Sequence, residues 1–321
     1  MSGFTPRIGI LLATYNGARF LSAQLDSFRT QTEPGWILFW RDDGSSDDTV
    51  AQMTAFAAEI GEARCIRVEG AEHLGASASF FALLAAATSH GLPLAFADQD
   101  DVWLPDKLAW ALEALAPTPG TSLCGPSPCG PSPCGPSLYC SRQTLVDEAL
   151  HPIGQSALLH SAPSFANALT QNIATGCTIV LDPAAARLVA GSQPSAAVLH
   201  DWWSYLVITA AGGRVVADAR PTVLYRQHGS NLVGAPVSNI SRARAALRRG
   251  PAIYMAVLRA NVAALLKQRE LLTPEALETL RTIDRGLRGN PVARLRALAL
   301  PGFRRQTPME TALFRCWFMI G

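Results

Sequence analysis

The sequence predicts an α/β fold: a mainly parallel sheet flanked by helices, followed by a basic, helical C-terminal extension. Three observations predict it. Between residues 7 and 110, apolar runs of strand length alternate with segments whose apolar residues recur every three or four positions, which is the pattern of βαβ units around a parallel sheet. Each strand-type run ends in a polar turn, as expected where strands emerge along one rim. Beyond about residue 240 the chain becomes rich in arginine, with apolar residues at helical spacing.

The elements follow in order. Arg7-Ile8-Gly9-Ile10-Leu11-Leu12-Ala13-Thr14 has the character of a buried strand and stops at the turn signal Tyr15-Asn16-Gly17. From Ala18 to Thr30, the spacing of Phe20, Leu21, Leu25 and Phe28 predicts a helix. A second strand, Trp36 to Trp40, runs into Arg41-Asp42-Asp43-Gly44-Ser45, a tight turn before a helix start capped by Ser or Asp. Cys65 to Val68 is a short third strand, and the turn His73-Leu74-Gly75 leads to a helix through Phe80, Phe81, Leu83 and Leu84.

The fourth strand, Leu94 to Ala97, ends abruptly in Asp98-Gln99-Asp100-Asp101. A strand interior would not tolerate such charge, because an unpaired buried carboxylate is very costly. The carboxylates therefore sit where the strand emerges, which in open α/β sheets is where ligands collect. Clustered carboxylates repel unless a cation lies between them, and a hard divalent ion with oxygen ligands is the natural partner.

Residues 119–137 form a Cys/Gly/Pro/Ser-rich tract. Its cysteines, Cys124, Cys129 and Cys134, stand five apart with no histidine, unlike a usual zinc site. Pro and Gly at this density predict an exposed loop. Further on, Leu138 to Ser141 resumes strand character, and 150–168 reads as loop or short helix. Asn172 to Leu181 reads as a strand kinked at Gly176, and Asp182-Pro183 opens a helix with proline first. His200-Asp201-Trp202-Trp203 opens another helix. Two strands, Arg214 to Ala217 and Thr222 to Tyr225, lead into Arg226-Gln227-His228-Gly229-Ser230-Asn231.

Composition bounds the rest. The chain has 321 residues, 49% hydrophobic and 16% charged, enough for one large domain (residues 1–240) with a distinct region at 241–321. The mean hydropathy, +0.16, is high, yet no uncharged apolar run reaches the roughly 18 residues of a membrane span. The N-terminus lacks the layout of a signal peptide, so a cytoplasmic location is expected. Residues 1–240 hold 12 basic and 20 acidic residues, whereas 241–321 hold 15 basic and 5 acidic. Basic helices bearing Trp and Phe suit peripheral contact with the inner face of a membrane. They equally suit a helical subdomain packed on the core. Nucleic acid is disfavoured as a partner, because the arginines are not interleaved with a recognisable binding module. No G-x-G-x-x-G follows the first strand, which argues against a dinucleotide dehydrogenase.

Ala13-Thr14-Tyr15-Asn16-Gly17, then Asp42-Asp43-Gly44-Ser45-Ser46-Asp47-Asp48-Thr49, then the D-x-D-D stretch resemble, in order and spacing, the family 2 glycosyltransferases of the GT-A fold. His200-Asp201-Trp202-Trp203 and Arg226-Gln227-His228-Gly229-Ser230-Asn231 are similar to a bacterial rhamnosyltransferase-like branch, so the likeness spans most of residues 7–235. It implies an inverting, metal-dependent transfer of a sugar, plausibly rhamnose, from a dTDP- or UDP-sugar to a hydroxyl of a glycan or lipid-linked acceptor. By the same resemblance, Asp43 takes the N3–H of a uracil or thymine ring, Tyr15 stacks on the base, and Ala13 and Thr14 approach the nucleotide by backbone. Asp98 lies near the ribose or the metal, and Asp100 binds Mn2+ or Mg2+ directly. His228 donates to the diphosphate or completes the metal shell. Asp201 is the general base. Asp101, Gly176, Trp202 and Trp203 belong to the sugar or acceptor side. Where many relatives have Asn, this chain has His73. Two rival functions stay open: a non-catalytic nucleotide-sugar-binding scaffold, and a sugar nucleotidyltransferase, which would release pyrophosphate.

Overall fold

The computed structural model describes residues 5–70, 73–117, 135–195, 198–229 and 239–321, and of 239–249 only the backbone. The three clustered cysteines, Ser230 and Asn231 fall outside the described residues, as do the side chains of Arg242, Arg244, Arg248 and Arg249.

The first half is β1 (Ile8–Thr14), α1 (Ala18–Arg29), β2 (Trp36–Asp42), α2 (Thr49–Ile60), β3 (Cys65–Arg67), α3 (Ala76–Ala87), β4 (Leu94–Ala97), β5 (Val102–Trp103) and α4 (Lys107–Leu115). The second half is β6 (Ser137–Val146), β7 (Pro152–Gln155), α5 (Phe165–Thr170), β8 (Val180–Leu181), α6 (Pro183–Ala190), α7 (His200–Ala210) and β9 (Arg214–Arg226). Helices α8 (Asn239–Leu266), α9 (Pro274–Arg288), α10 (Pro291–Leu298) and α11 (Pro308–Ile320) follow.

One sheet runs in the order β3-β2-β1-β4-β8-β6-β9-β5, with β7 on β6. β3, β2, β1 and β4 are parallel, whereas β8 is antiparallel to both β4 and β6. Successive residues of a strand face opposite sides of the sheet, and both sides here are covered. Ile8, Ile10 and Leu12 of β1 enter the core shared with α1, α2 and α4. Leu11 enters the opposite core, shared with α3 and α5 to α7. That double burial is why β1, β2 and β4 are apolar until their C-terminal ends, where Thr14, Arg41 and Asp42 stand.

Register places the functional turns. Thr14 lies across from Asp42, and Leu12 from Ala97. The loops after β1, β2 and β4 therefore leave the sheet at one edge. β5 pairs antiparallel with β9, Val102 opposite Leu224, which carries the end of β9 to the acidic turn.

Some expectations are corrected. Residues 172–181 are not one strand: Gly176–Thr178 is a 3-10 turn and only Val180–Leu181 pairs. The two strands foreseen at 214–217 and 222–225 are one, β9, irregular in register where Arg142 faces Pro221. Within 150–168 the chain forms β7 and the start of α5. The C-terminal helices pack on the core. Met255, Leu258, Leu280, Phe303, Phe314 and Phe318 are buried in the same cluster as Phe80 and Trp203. No helix among the described residues is long and apolar enough to cross a membrane.

Trp203, expected at the sugar site, is also corrected. It is fully buried, and its Nε1 donates to Ser192 Oγ at 2.8 Å. Successive residues on a helix diverge by about 100°, so Trp202 and Trp203 cannot share a face. Trp203→Ala is expected to cost about 3–5 kcal/mol of folding stability, measured by denaturant titration.

Candidate active site

The turn after β1 is locked from two sides. Asn16 adopts a left-handed φ of 46°. Its backbone N–H donates to Ser45 Oγ (2.8 Å), while its side-chain Oδ1 accepts from Ser46 N (2.8 Å). Gln99, between Asp98 and Asp100, closes the other side. Its amide accepts from Tyr15 N and donates to Tyr15 O, both at 2.9 Å, completing a strand-like rung with a side chain. Gly17 is required beside it, since a Cβ there would fall 2.1 Å from Gln99 Oε1. Gly17→Ala is expected to displace that amide, losing two hydrogen bonds of about 1 kcal/mol each. Donor KM should rise about tenfold, read by initial rates, and the melting temperature should fall by a few degrees.

Asp42 and Asp43 have different roles. Asp42 accepts from Thr14 Oγ1 (3.0 Å), Ser45 Oγ (2.6 Å) and Ser45 N (2.8 Å), so it shapes the turn. Asp43 is buried, and both its oxygens are engaged. Oδ1 accepts from Arg41 Nη1 (2.9 Å), Leu74 N (2.8 Å) and Ser79 Oγ (3.1 Å). Oδ2 accepts from Gly75 N (2.7 Å) and lies 3.0 Å from His73 Nδ1. Burial pushes the Asp43 carboxyl up, but these donors and the Arg41 charge outweigh it and hold the group below its ordinary value. The exposed rings of Tyr15 and His73 stand 4.8 Å apart beside it. Ala13 and Thr14, expected on the donor side, lie at the end of β1, where Thr14 O accepts from Asp43 N at 2.8 Å.

The acidic turn is gripped from β9. Arg226 donates from Nε to Asp100 O (2.8 Å), from N to Asp101 Oδ1 (3.1 Å), and from Nη1 to Glu148 O. Asp101 is wholly buried, so its expected place on the acceptor side is corrected: it anchors β9 to the turn. Asp100 stays partly open, with His228 Nε2 2.7 Å from its Oδ2. Burial pushes Asp98 up to about 8, reinforced by Asp100 and Asp201, which therefore share one cluster with it.

Asp201 begins the first turn of α7. It accepts from Trp202 N at 2.5 Å and interacts with the Gly176 N–H and the Asn172 side chain. Burial dominates and pushes it up to about 6. Gly176 thus serves the carboxylate by its backbone, being itself buried; a Cβ there would meet His200 Nε2 at 2.9 Å. His200 is stacked on Phe80, 4.0 Å between ring centroids, and burial pushes it down to about 3, so it stays neutral. Trp202 is half-buried and donates from Nε1 to Ala168 O (2.7 Å).

Two sets of side chains suit a cation. Asp98, Asp101 and Cys177 offer ligand atoms within 4.8 Å of one another. The Cys177 thiol, however, is pushed well up by burial, and the Lys107 ammonium, itself buried, lies close enough to oppose a second positive charge. Asp100, partly open and paired with His228, adjoins this group through Asp98 and offers the oxygen and nitrogen ligands that suit a hard ion such as Mn2+ or Mg2+.

The site joins through contacts no sequence pattern records. Asp43 holds His73 and the α3 N-terminus, His73 meets Tyr15, Tyr15 is paired by Gln99, and Gln99 sits between the carboxylates that feel Asp201. Ser77 Oγ, next to that N-terminus, accepts from His200 N at 2.8 Å. Arg41, Gln99 and Asn172 were not assigned from sequence. Gln99 was conspicuous between aspartates; the other two carry no local signal.

Comparison with known proteins agrees with this arrangement. Residues 10–133 match the family described as Glycosyl transferase family 2. Over 236 residues the chain is 26% identical to the dTDP-rhamnosyl transferase RfbG of Shigella flexneri, covering 71% of this chain and 75% of RfbG. Over 101 residues it is 31% identical to WfgD of Escherichia coli, named as a UDP-Glc:alpha-D-GlcNAc-diphosphoundecaprenol beta-1,3-glucosyltransferase, covering 32% of this chain and 38% of WfgD. In fold it is similar to S. aureus TarS residues 1–349 crystallised with UDP-GlcNAc, with a TM-score of 0.56, 14% identity, and coverage of 91% of this chain and 78% of that one. It spans 43% of a longer TarS chain. The matched residues are those that build the parallel half of the sheet and its acidic turns: over that segment the chain is similar to glycosyl transferase family 2, and its fold is that of the GT-A glycosyltransferases.

Proposed function

We propose that the protein catalyses inverting, metal-dependent transfer of a sugar, rhamnose being favoured, from a dTDP- or UDP-sugar to a hydroxyl of a surface glycan or its lipid-linked precursor. The observation that carries the reading is Asp201. A buried carboxylate pushed up to about 6, facing the acidic cluster, has the basicity of a general base working near neutral pH. Asp201 takes the proton of the acceptor hydroxyl as that oxygen bonds to C1. The C1–O bond to the diphosphate breaks, and its electron pair leaves with the nucleoside diphosphate. A divalent ion held by Asp98, Asp100 and His228 would neutralise that leaving group.

The donor base lies in the slot beside Tyr15, with Asp43 receiving its N3–H. Because Asp43 is already saturated, the exposed His73 must swing away from Oδ2 when the base arrives. The half-buried Trp202 is the remaining candidate for sugar contact. Rhamnose and dTDP are supported by the name of RfbG, and a lipid diphosphate acceptor by that of WfgD.

The test is to incubate the protein with dTDP-rhamnose, Mn2+ and an acceptor and identify the released phosphorus species. Nucleoside diphosphate with an inverted glycoside supports the proposal. Pyrophosphate release would identify a nucleotidyltransferase. Donor binding without turnover would identify a scaffold.

A further inference from the structure

We infer that the outward face of α10 and α11, beside Arg259 of α8, is a docking surface for an anionic lipid bilayer. Helix α11 is apolar on both sides. Inward, Phe314, Trp317 and Phe318 are buried. Outward, Met309, Ala312, Cys316 and Ile320 recur at three- and four-residue steps and are exposed, Ile320 by 74%. A surface helix normally keeps one polar face. On α10, Val292 and Leu295 are exposed three residues apart, on one face.

These faces adjoin. Arg294 of α10 donates to Met319 O, Arg259 of α8 donates to Gly321 O, and Gly321 lies against Met255 of α8. Four of the ten exposed large hydrophobic residues described belong to α10 and α11. Contiguous apolar surface of this kind marks an interaction site.

The surroundings select the occupant. Arg259, Arg288, Arg296 and Arg315 are exposed around the apolar residues, and between Asp284 and Glu310 the sequence has no acidic residue. Two copies meeting on this face would bring like-charged rims together. A bilayer of anionic lipid complements both features: side chains such as Leu295 and Ile320 enter the acyl boundary while arginines meet headgroups. Arg305 Nη1 donates to Thr170 O at 3.0 Å, and Asn167 Nδ2 to Arg304 O at 2.6 Å. These bonds tie the surface rigidly to α5, and through it to α7 and Asp201. The inference does not depend on which sugar or acceptor is used.

The experiment is flotation of the full chain with phosphatidylglycerol-rich and pure phosphatidylcholine vesicles. Three proteins are compared: wild type, a Leu295→Glu/Ile320→Glu variant and an Arg288→Ala/Arg296→Ala/Arg315→Ala variant, each checked for an unchanged melting temperature. Wild type should float with the anionic vesicles alone, less so at high salt. Binding should fall at least about tenfold in the first variant and about a hundredfold in the second. Absence of flotation, equal flotation with both lipids, or flotation unchanged in both variants overturns the inference. So does a dimer in light scattering that the same substitutions dissolve.

Discussion

Asp201→Asn is expected to reduce turnover about 10²–10⁴-fold, the usual contribution of a general base, while leaving the protein at least as stable as wild type near neutral pH. The second half of that expectation follows from linkage. The folded-state pKa, about 6, lies above the ordinary 3.8. Between those values the folded protein binds the proton better than the unfolded chain. This carboxyl therefore favours folding below pH 3.8, and its contribution is lost as pH rises to 6. Above pH 6 the ionised group costs about 3 kcal/mol, at about 1.4 kcal/mol per unit. Asparagine removes the charge and keeps an oxygen for the Trp202 N–H. A variant that is inactive yet melts no lower separates catalysis from structure. In wild type, kcat should rise with pH through about 6. Turnover within a few-fold of wild type would remove Asp201 from the mechanism.

Asp100→Ala is expected to be nearly as damaging. A cation that neutralises a diphosphate contributes several kcal/mol to the transition state, so removing a principal ligand should cost about 10²–10³-fold. Asp100 is partly open and makes its one side-chain contact shown here with His228, so global stability should change little. Mn2+ should raise the melting temperature of wild type and of the Asp201→Asn protein but not of the Asp100→Ala protein, because a ligand stabilises only a state that binds it. Full activity after exhaustive chelation would exclude the metal-dependent reading.

The two substitutions probe parts of the site that differ in how openly the sequence announces them. The acidic turn after β4 is legible because charge cannot persist in a buried strand, whatever the rest of the chain does. Asp201 is legible only through the resemblance, since a carboxylate in the first turn of a helix is ordinary. What raises its proton affinity is burial, which outweighs the opposing hydrogen bonds from Gly176 and Asn172, in a stretch that reads as a strand from its Ile, Thr and Val content. The chain there turns instead at Gly176, where a Cβ would meet His200 Nε2 at 2.9 Å. Similarly, β9 reads as two strands because Asp218, Arg220 and Pro221 break the local pattern, yet pairing with β6 carries the strand across the irregularity.

The sequence by itself determined the parallel half of the sheet, its helices and the edge where the polar turns gather. Hydrophobic period and turn chemistry are local properties, set by neighbours within a few positions. Only the tertiary structure decided which of two neighbours is buried, Trp203 rather than Trp202 and Asp101 rather than Asp100, and that Asp43 is saturated by Leu74, Gly75 and Ser79. It also decided that the last helices join the main core while leaving one face outward. Which member of each pair meets solvent depends on partners about 30 to 125 residues away, and burial and hydrogen bonding are settled by packing.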